Sequence, residues 1–371
     1  MQITSLALYH VALPLRQSRV TAGRPCTALE TVLVRMASGD AVGWGEASPG
    51  NGPTASDEWA AGTFSVLRDW LAPAVVGTTI DSGDDLTERL APFRGNRFAK
   101  SALDTAWWDL SARLQDRPLH ELLGAEPAAV EVGPTLDRMD SPDEFLAAIG
   151  GAFDAGFARV KLKFRPGWDI EMLRFVRQHF PTQTFHVDCE GALGLEQTEM
   201  LCRLDDFFLA MIEQPLPADD LVGNAMVQEM VRTPVCLDEG VTTPGQAEIA
   251  VDLNSCRFLN LKPGRVGGLT AALAILDACR AGGIQCWGGA VPQSAIGSRI
   301  GLALAAKAGR AYPADLFPAG DVLVEDLAEP LTPVRDPADG IARVALWRGA
   351  GLGIEPDAAI LERCTLQKVV C

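Results

Sequence analysis

Two regimes of hydrophobic patterning divide the chain. Up to about residue 125 the apolar positions fall partly at strand period and partly at helix period. Thr31-Val-Leu-Val-Arg35 and Ala41-Val-Gly-Trp-Gly-Glu46 read as strands joined across Ser38-Gly39-Asp40, a hairpin turn. A helix is expected over 56–71, with Asp57 and Glu58 early in it, where the helix dipole favours acids. Another is expected over 99–115, with Ala102, Ala106 and Leu110 on one stripe. The segment 119–123 runs into Gly124, a helix stop. From about Val130 short apolar runs alternate with amphipathic stretches such as 170–179 and 269–281. Strands are predicted at 130–136, 158–163, 184–188, 209–213, 235–238, 258–262, 285–288 and 314–316. Alternating βα units imply a parallel sheet, and eight of them permit a closed barrel. The expected fold is α/β: a TIM-type (β/α)8 barrel, intact or modified, over residues 126–325, with an α+β capping domain over 1–125. The tail, 326–371, shows no further βα unit and is predicted to return to the capping domain.

The middle strands end in ionisable residues: Lys161 and Lys163, then Asp188, Glu213, Asp238 and Lys262. The steps from Lys163 to Asp188, Asp188 to Glu213 and Glu213 to Asp238 are each 25 residues, and that from Asp238 to Lys262 is 24. One strand, one helix and two loops occupy about that length. A polar residue at successive strand C-termini marks an active site on such a barrel, because those ends and their loops line its mouth.

Side chains alternate along a strand, so Lys161 and Lys163 face the same way. Near a cation or another ammonium a lysine's pKa falls, which makes it a usable base. Lys161 is then placed to polarise a substrate carboxylate and to depress Lys163, and Lys163 to take the proton. The plain alternative is a pair of solvated lysines on an edge strand. Asp188, Glu213 and Asp238 put three carboxylates on one arc of the mouth, an all-oxygen set suited to Mg²⁺, with Mn²⁺ as a substitute, over zinc. Helix N-capping would explain any one of these acids, but it is a poor account of three at equal spacing. Lys262 lies across the barrel from Lys163 and can address the opposite face of a bound carbon acid; its alternative is an idle lysine near a helix start. Gly264, Gly267 and Gly268 lack the GxGxxG spacing of a phosphate cradle and read as a tight turn. The four histidines are His10, His120, His179 and His186, so none is available on the late strands as a base. His186 shares a face with Asp188 one pleat deeper and reads as a packed core residue.

Composition narrows the partners. A chain of 371 residues, 48% hydrophobic, suffices for two cores. A net charge of -16 argues against nucleic acid, which attracts clustered Lys and Arg. The nine cysteines are odd in number, scattered and without CxxC spacing, as for reduced thiols in a cytoplasmic enzyme. Cys189 and Cys236, beside the proposed ligands, read as small apolar filler. No secretory leader and no membrane-spanning run is expected.

The segments Val160-Lys-Leu-Lys163 with Pro166-Gly-Trp-Asp169, Met211-Ile-Glu-Gln-Pro-Leu216, Cys236-Leu-Asp-Glu239 and Asn260-Leu-Lys-Pro-Gly-Arg-Val-Gly-Gly268 resemble the enolase superfamily. Gly43-Trp-Gly-Glu46 and Ala106-Trp-Trp-Asp-Leu110 resemble its capping domain. The two-lysine arrangement matches the muconate lactonizing subgroup and, within it, is similar to the o-succinylbenzoate synthase and N-succinylamino acid racemase enzymes. The mandelate racemase branch, with its late-strand histidine, fits less well, and so does an acid-sugar dehydratase. The resemblance implies a Mg²⁺-dependent enzyme that abstracts the proton α to a carboxylate. Lys161, Lys163 and Lys262 would be catalytic, and Asp188, Glu213 and Asp238 would hold the metal. Racemisation or epimerisation, dehydration and cycloisomerisation all remain open, as does a non-catalytic barrel that binds a metabolite.

Three positions depart from the family. Glu190 stands where asparagine is usual, Gly240 where serine is expected, and Gln293 where a glutamate lies, in a loop one residue longer. Glu190, Glu239 and Gln293 are thus candidates for contacts around the metal or substrate. The resemblance also implies specificity loops at about 15–24 and 47–57, in which Arg16, Arg19 and Arg24 are candidates for a distal substrate carboxylate; their alternative is a role as surface arginines. The expected partner is a small-molecule carboxylate, and a homo-oligomer is expected by the same resemblance.

Overall fold

The computed structural model describes residues 1–21, 23–126 and 128–371. The first apolar runs form an antiparallel meander of β1 (Ser5–Thr21), β2 (Arg24–Ser38) and β3 (Ala41–Ala47). The β2–β3 turn is the expected hairpin, and Gly39 supplies its positive φ of 59°. The last strand of the chain, Thr365–Val370, pairs with the free edge of β1. The helix Arg97–Leu114 covers this sheet. Gly43 and Gly45 explain how closely it does so: a Cβ on either would collide with the helix backbone at Leu110 or Ala102.

Two expectations fail here for physical reasons. The helix predicted over 56–71 starts only at Ala60 and continues through a wider π-type turn at Leu67–Leu71 to Val75. Asp57 and Glu58 therefore lie outside it. Glu58 instead accepts the Phe98 and Ala99 amides at 3.1 and 3.3 Å and caps the helix Arg97–Leu114, a partner 40 residues away in sequence. The segment 15–24, expected as a loop, is mostly strand. β1 runs on to Thr21 and β2 begins at Arg24, with a break in register between Pro14 and Arg19.

All eight predicted barrel strands are present. The first is split at Pro134 into β4 (Ala129–Gly133) and β5 (Thr135–Leu136). Proline cannot donate to a ladder, and the strand changes partners there. There follow β6 (Val160–Lys163), β7 (Phe185–Asp188), β8 (Ile212–Glu213), β9 (Val235–Leu237), β10 (Phe258–Leu261), β11 (Gln285–Gly288) and β12 (Ala314–Asp315). Strands β5 to β11 form one parallel sheet, and β12 pairs in parallel with β4, so the split first strand joins the ladder at both edges. The helices Ile170–His179 and Leu269–Ala281 have the bounds their periodicity predicted. The tail divides. β13 (Val334–Arg335) and β14 (Ala342–Ala345) extend the sheet at β4, whereas the later part returns to the N-terminal layer: Leu352 N–H donates to Asp109 at 2.7 Å, Glu355 accepts from Trp44 Nε1 at 2.7 Å, and the final strand pairs with β1.

Two buried carboxylates fasten the N-terminal layer to the barrel. Glu46, at the end of β3, accepts the Ser294 and Gly297 amides at 3.0 and 2.7 Å, at the N-terminus of the helix Ala295–Ala308. Asp104 accepts the Leu269 and Thr270 amides at 2.5 and 3.2 Å and the Thr270 hydroxyl at 2.5 Å, so one helix caps the next across the junction.

Burial pushes the Asp104 carboxyl up to about 7 against these hydrogen bonds. A raised carboxyl binds its proton more tightly in the folded chain than in the unfolded one, whose value is about 4. Its contribution to stability is thus present at low pH and is lost as pH rises from about 4 through 7. Asp104→Asn removes that loss. The variant is expected to gain stability relative to the parent between pH 5 and pH 8, by on the order of a few kcal/mol, as read from urea midpoints. Equal midpoint differences at the two pH values would show that Asp104 does not titrate in this window.

Candidate active site

Parallel pairing brings the strand ends level. Lys163 on β6 lies beside Asp188 on β7, and Asp188 beside Glu213 on β8. Glu213 lies beside Cys236 on β9, and two positions further the same face presents Asp238. Lys262 follows β10 directly. β6 and β10 are four apart in a ring of eight, so Lys163 and Lys262 stand across the mouth with the three carboxylates between them.

These groups are joined in direct ion pairs. Lys163 Nζ lies 2.8 Å from Asp188 Oδ2 and 2.6 Å from Glu190 Oε1. Lys161 Nζ is 3.2 Å from Glu213 Oε2 and 3.5 Å from Asp188 Oδ2. Lys262 Nζ is 2.5 Å from Asp238 Oδ2, and Arg265 donates to both Asp238 and Glu239. Asn260 Nδ2 donates to Glu213 Oε1 at 2.6 Å. Gln214, at a positive φ of 38°, turns its side-chain oxygen back to accept the Asp238 and Gly240 amides at 2.9 and 3.0 Å. The chain leaving β8 thereby fixes the chain leaving β9.

Charge density sets the protonation states. Burial alone would raise Glu213, but Lys161, His186 and Lys262 outweigh it and hold the carboxyl well below its usual range. Glu213 can therefore only accept, so His186 Nε2 donates to it at 3.2 Å and His186 Nδ1 accepts the Tyr312 hydroxyl at 2.9 Å. Burial lowers the His186 pKa and keeps the ring neutral. It is a packed hydrogen-bonding residue, as expected. Burial and, as expected, the neighbouring Lys161 lower the Lys163 pKa, but Asp188 and Glu190 outweigh them, and the ammonium is held above its ordinary value. Cys189 and Cys236 are buried filler whose thiols burial pushes well up.

Reading by sequence missed Asp315. This acid on β12 lies 2.7 Å from Lys161 Nζ and 2.7 Å from Arg159 Nη2, and it anchors Lys161 from the side opposite Glu213. Arg159 is fully buried beneath the site, over the rings of Trp287 and Tyr312. Asp315 obeys the same rule as Asp188 and Glu213, an acid at a barrel strand's C-terminal end. It breaks the regular spacing, which is why it escaped notice. Asn260 and Arg265 were visible only as parts of a motif.

The rim residues are placed unevenly. Glu190, at a positive φ of 49°, is half-exposed and reaches back to Lys163. Glu239 is held by Arg265, and its Oε2 is buried without a hydrogen-bond partner. Gln293 packs against Gly297, beside Glu46. Arg16 donates to the Gly320 carbonyl at 3.3 Å, and the Val324 amide donates to the Pro14 carbonyl at 2.9 Å. The β1–β2 extension is thus tied to the segment that leaves β12. Arg16, Arg19 and Arg24 are exposed, and the ion pairs described above do not include them.

Among the described residues no three His, Cys, Asp or Glu side chains converge on a single metal point, because each carboxylate is turned to a lysine or arginine. The donor chemistry nonetheless fits a hard divalent cation. Asp188, Glu213, Asp238 and Glu239 are all oxygen donors at one mouth. Glu239 carries an unsatisfied oxygen, and burial together with the nearby Asp188 and Glu213 charges raises its pKa against the pull of Lys262.

A parallel barrel with acids and lysines at its strand ends, covered by an α+β layer, defines a class of (β/α)8 enzymes with the active site at the C-terminal face. Residues 144–360 match the family model of the enolase C-terminal domain-like proteins. Residues 3–124 match that of the mandelate racemase / muconate lactonizing enzyme N-terminal domain. The chain belongs to this family, the enolase superfamily, and is an enzyme of it. It is 34% identical to an o-succinylbenzoate synthase from Geobacillus kaustophilus, over 98% of this chain and 96% of that one. It is also 34% identical to an N-succinylamino acid racemase from an Amycolatopsis species, over 100% and 99% of the two chains. The solved structure of an enolase superfamily member from Enterococcus faecalis V583 superposes with a TM-score of 0.93 at 30% identity, covering 100% and 99% of the chains.

Proposed function

We propose that this enzyme abstracts the proton α to a carboxylate and acts on N-succinylated or otherwise N-acylated amino acids as a racemase or epimerase, or on an o-succinylbenzoate precursor as a dehydratase. The observation that carries the reading is the pair of lysines, Lys163 and Lys262, across the mouth from one another, with an acid arc and Lys161 between them. A planar carbon acid bound there has one ammonium or amine on each face. Lys163 takes or returns a proton on one face and Lys262 on the other, which suits racemisation. With one lysine as base and the other as a fixed cation, the same geometry suits loss of water or ring closure. Lys161, held by Glu213, Asp188 and Asp315, offers a positioned positive charge to the substrate carboxylate, where charge accumulates as the proton leaves. We assign Asp188, Glu213 and Asp238 to hold Mg²⁺, with Mn²⁺ as a substitute. When bound, the ion supplies further positive charge beside that carboxylate. We assign Glu190 and Glu239 to extend the acidic arc, and the arginines of the β1–β2 extension, Arg16, Arg19 and Arg24, to a distal carboxylate of the substrate.

Exhaustive chelation is expected to stop turnover, and added Mg²⁺ to restore it. The ion should also raise the thermal midpoint, since a ligand at 100 times its dissociation constant stabilises by about 2.7 kcal/mol. Undiminished turnover after chelation would remove the metal from this proposal.

A further inference from the structure

Inside the barrel, one pleat below the acids of the mouth, the side chains of Arg159, His186, Trp287 and Tyr312 pack together. His186 is fully buried and stands edge-on to Trp287 and Tyr312, with ring centroids 5.6 and 5.3 Å away. Burying an imidazole there is costly unless both ring nitrogens are hydrogen-bonded. Two of its neighbours are committed elsewhere. Trp287 gives its N–H to Cys236 Sγ at 3.4 Å, and Arg159 donates to Asp315 and to the Pro134 and Pro313 carbonyls. The Tyr312 hydroxyl and the Glu213 carboxylate are its partners, at 2.9 and 3.2 Å.

The direction of both bonds is fixed from the Glu213 end. An ionised carboxylate only accepts, so Nε2 carries the imidazole proton and Nδ1 presents a lone pair. Burial raises the Tyr312 phenol above its ordinary value, so the hydroxyl keeps its proton and donates to Nδ1. The bond made by one imidazole nitrogen sets the protonation of the other. Without the Tyr312 hydroxyl the Nδ1–H tautomer competes, and that tautomer turns a lone pair toward the carboxylate. Glu213 is thus held from two ends, by Asn260 Nδ2 at Oε1 and by His186 Nε2 at Oε2. Both donors are neutral. Unlike Lys161, they orient the carboxylate without adding a positive charge that would compete with a cation.

We propose that Tyr312 and His186 are positioning residues for the divalent-ion site: the Tyr312 hydroxyl fixes the tautomer of His186, and His186 Nε2–H holds the Glu213 carboxylate ready for the ion. This rests on the assignment of Glu213 as an ion ligand. Calorimetric titration with Mg²⁺ is expected to give dissociation constants about 10–100-fold higher for Tyr312→Phe and His186→Phe than for the parent, the usual cost of removing a hydrogen-bond partner behind a metal ligand. His186→Gln, whose amide nitrogen reaches about as far as Nε2, should bind close to the parent. ¹H–¹⁵N correlation spectra of the histidine rings, with the His186 signals assigned by their loss in His186→Gln, should show the Nε2–H tautomer in the parent. Tyr312→Phe should shift His186 toward Nδ1–H. Glu213→Gln tests the underlying assignment by itself: parent-like Mg²⁺ affinity would remove Glu213 as a ligand and the proposal with it. If Glu213→Gln loses affinity, three results would each overturn the positioning role alone. They are parent-like affinity in both phenylalanine variants, His186→Gln as weak as His186→Phe, and a parent His186 that carries its proton on Nδ1.

Discussion

Replacing Lys163 with alanine is expected to abolish turnover while leaving the fold intact. The side chain is only partly buried, its contacts are the ion pairs with Asp188 and Glu190, and Asp188 keeps its contact with Lys161 after the change. Stability should therefore shift little. The chemistry should fail, because a positioned acid–base group contributes typically 10²–10⁴-fold and nothing else on that side of the mouth replaces it. The loss should fall on kcat more than on KM, since the proposal gives the carboxylate end of the substrate to Lys161 and the acid arc. The check is kcat and KM for the variant beside its thermal midpoint. Retained kcat would take Lys163 out of the proton path and leave it as a partner of Glu190.

The second large effect concerns stability and comes from the residue that spacing did not find. Asp315 neutralises two cations at once, and its side chain is 8% exposed, as against 4% for Lys161 and 0% for Arg159. Both cations hold it below the usual carboxylate range although burial opposes them, so at neutral pH it is ionised. Asp315→Asn keeps the volume and removes the charge. Breaking a buried pair by neutralising one partner costs about 3–5 kcal/mol, because the other charge stays buried without compensation. Here two cations are left. The variant is expected to lose at least that much against urea, and to lose turnover as well, since Lys161 is released on one side. Parent-like stability would mean that Glu213 and Asp188 suffice to hold Lys161 and the Pro134 and Pro313 carbonyls suffice for Arg159.

How much of this was legible in the sequence follows the range of the interactions. The strands and the helices Ile170–His179 and Leu269–Ala281 were readable because their periodicity is local. The row of Lys163, Asp188 and Glu213 was readable because equal βα units place equal positions level in a parallel sheet. The 15–24 segment pairs locally, Arg19 with Cys26 and Val20 with Pro25, as the far end of the β1–β2 hairpin, which its polar composition disguised as a loop. Glu58 was misread because its partner is remote: it caps a helix that starts at Arg97. The tail divides for a similar reason, since only pairing partners decide between β4 and β1. The raised pKa of Lys163 was not legible, because it is set by contacts with Asp188 at 2.8 Å and Glu190 at 2.6 Å whose distances no spacing along the chain gives. The clasps at Glu46 and Asp104 join residues more than 160 positions apart, which no pattern along the chain announces.

The central claim is that this mouth removes an α-proton. The most direct test is ¹H NMR in D2O with Mg²⁺, following the α-hydrogen of N-succinyl amino acids, other N-acyl amino acids, dipeptides and an o-succinylbenzoate precursor. The account predicts that the α-signal of at least one member disappears as deuterium enters, with inversion for a racemase or loss of water for a dehydratase. An α-hydrogen left intact in every member, with Mg²⁺ bound to the protein, would contradict it.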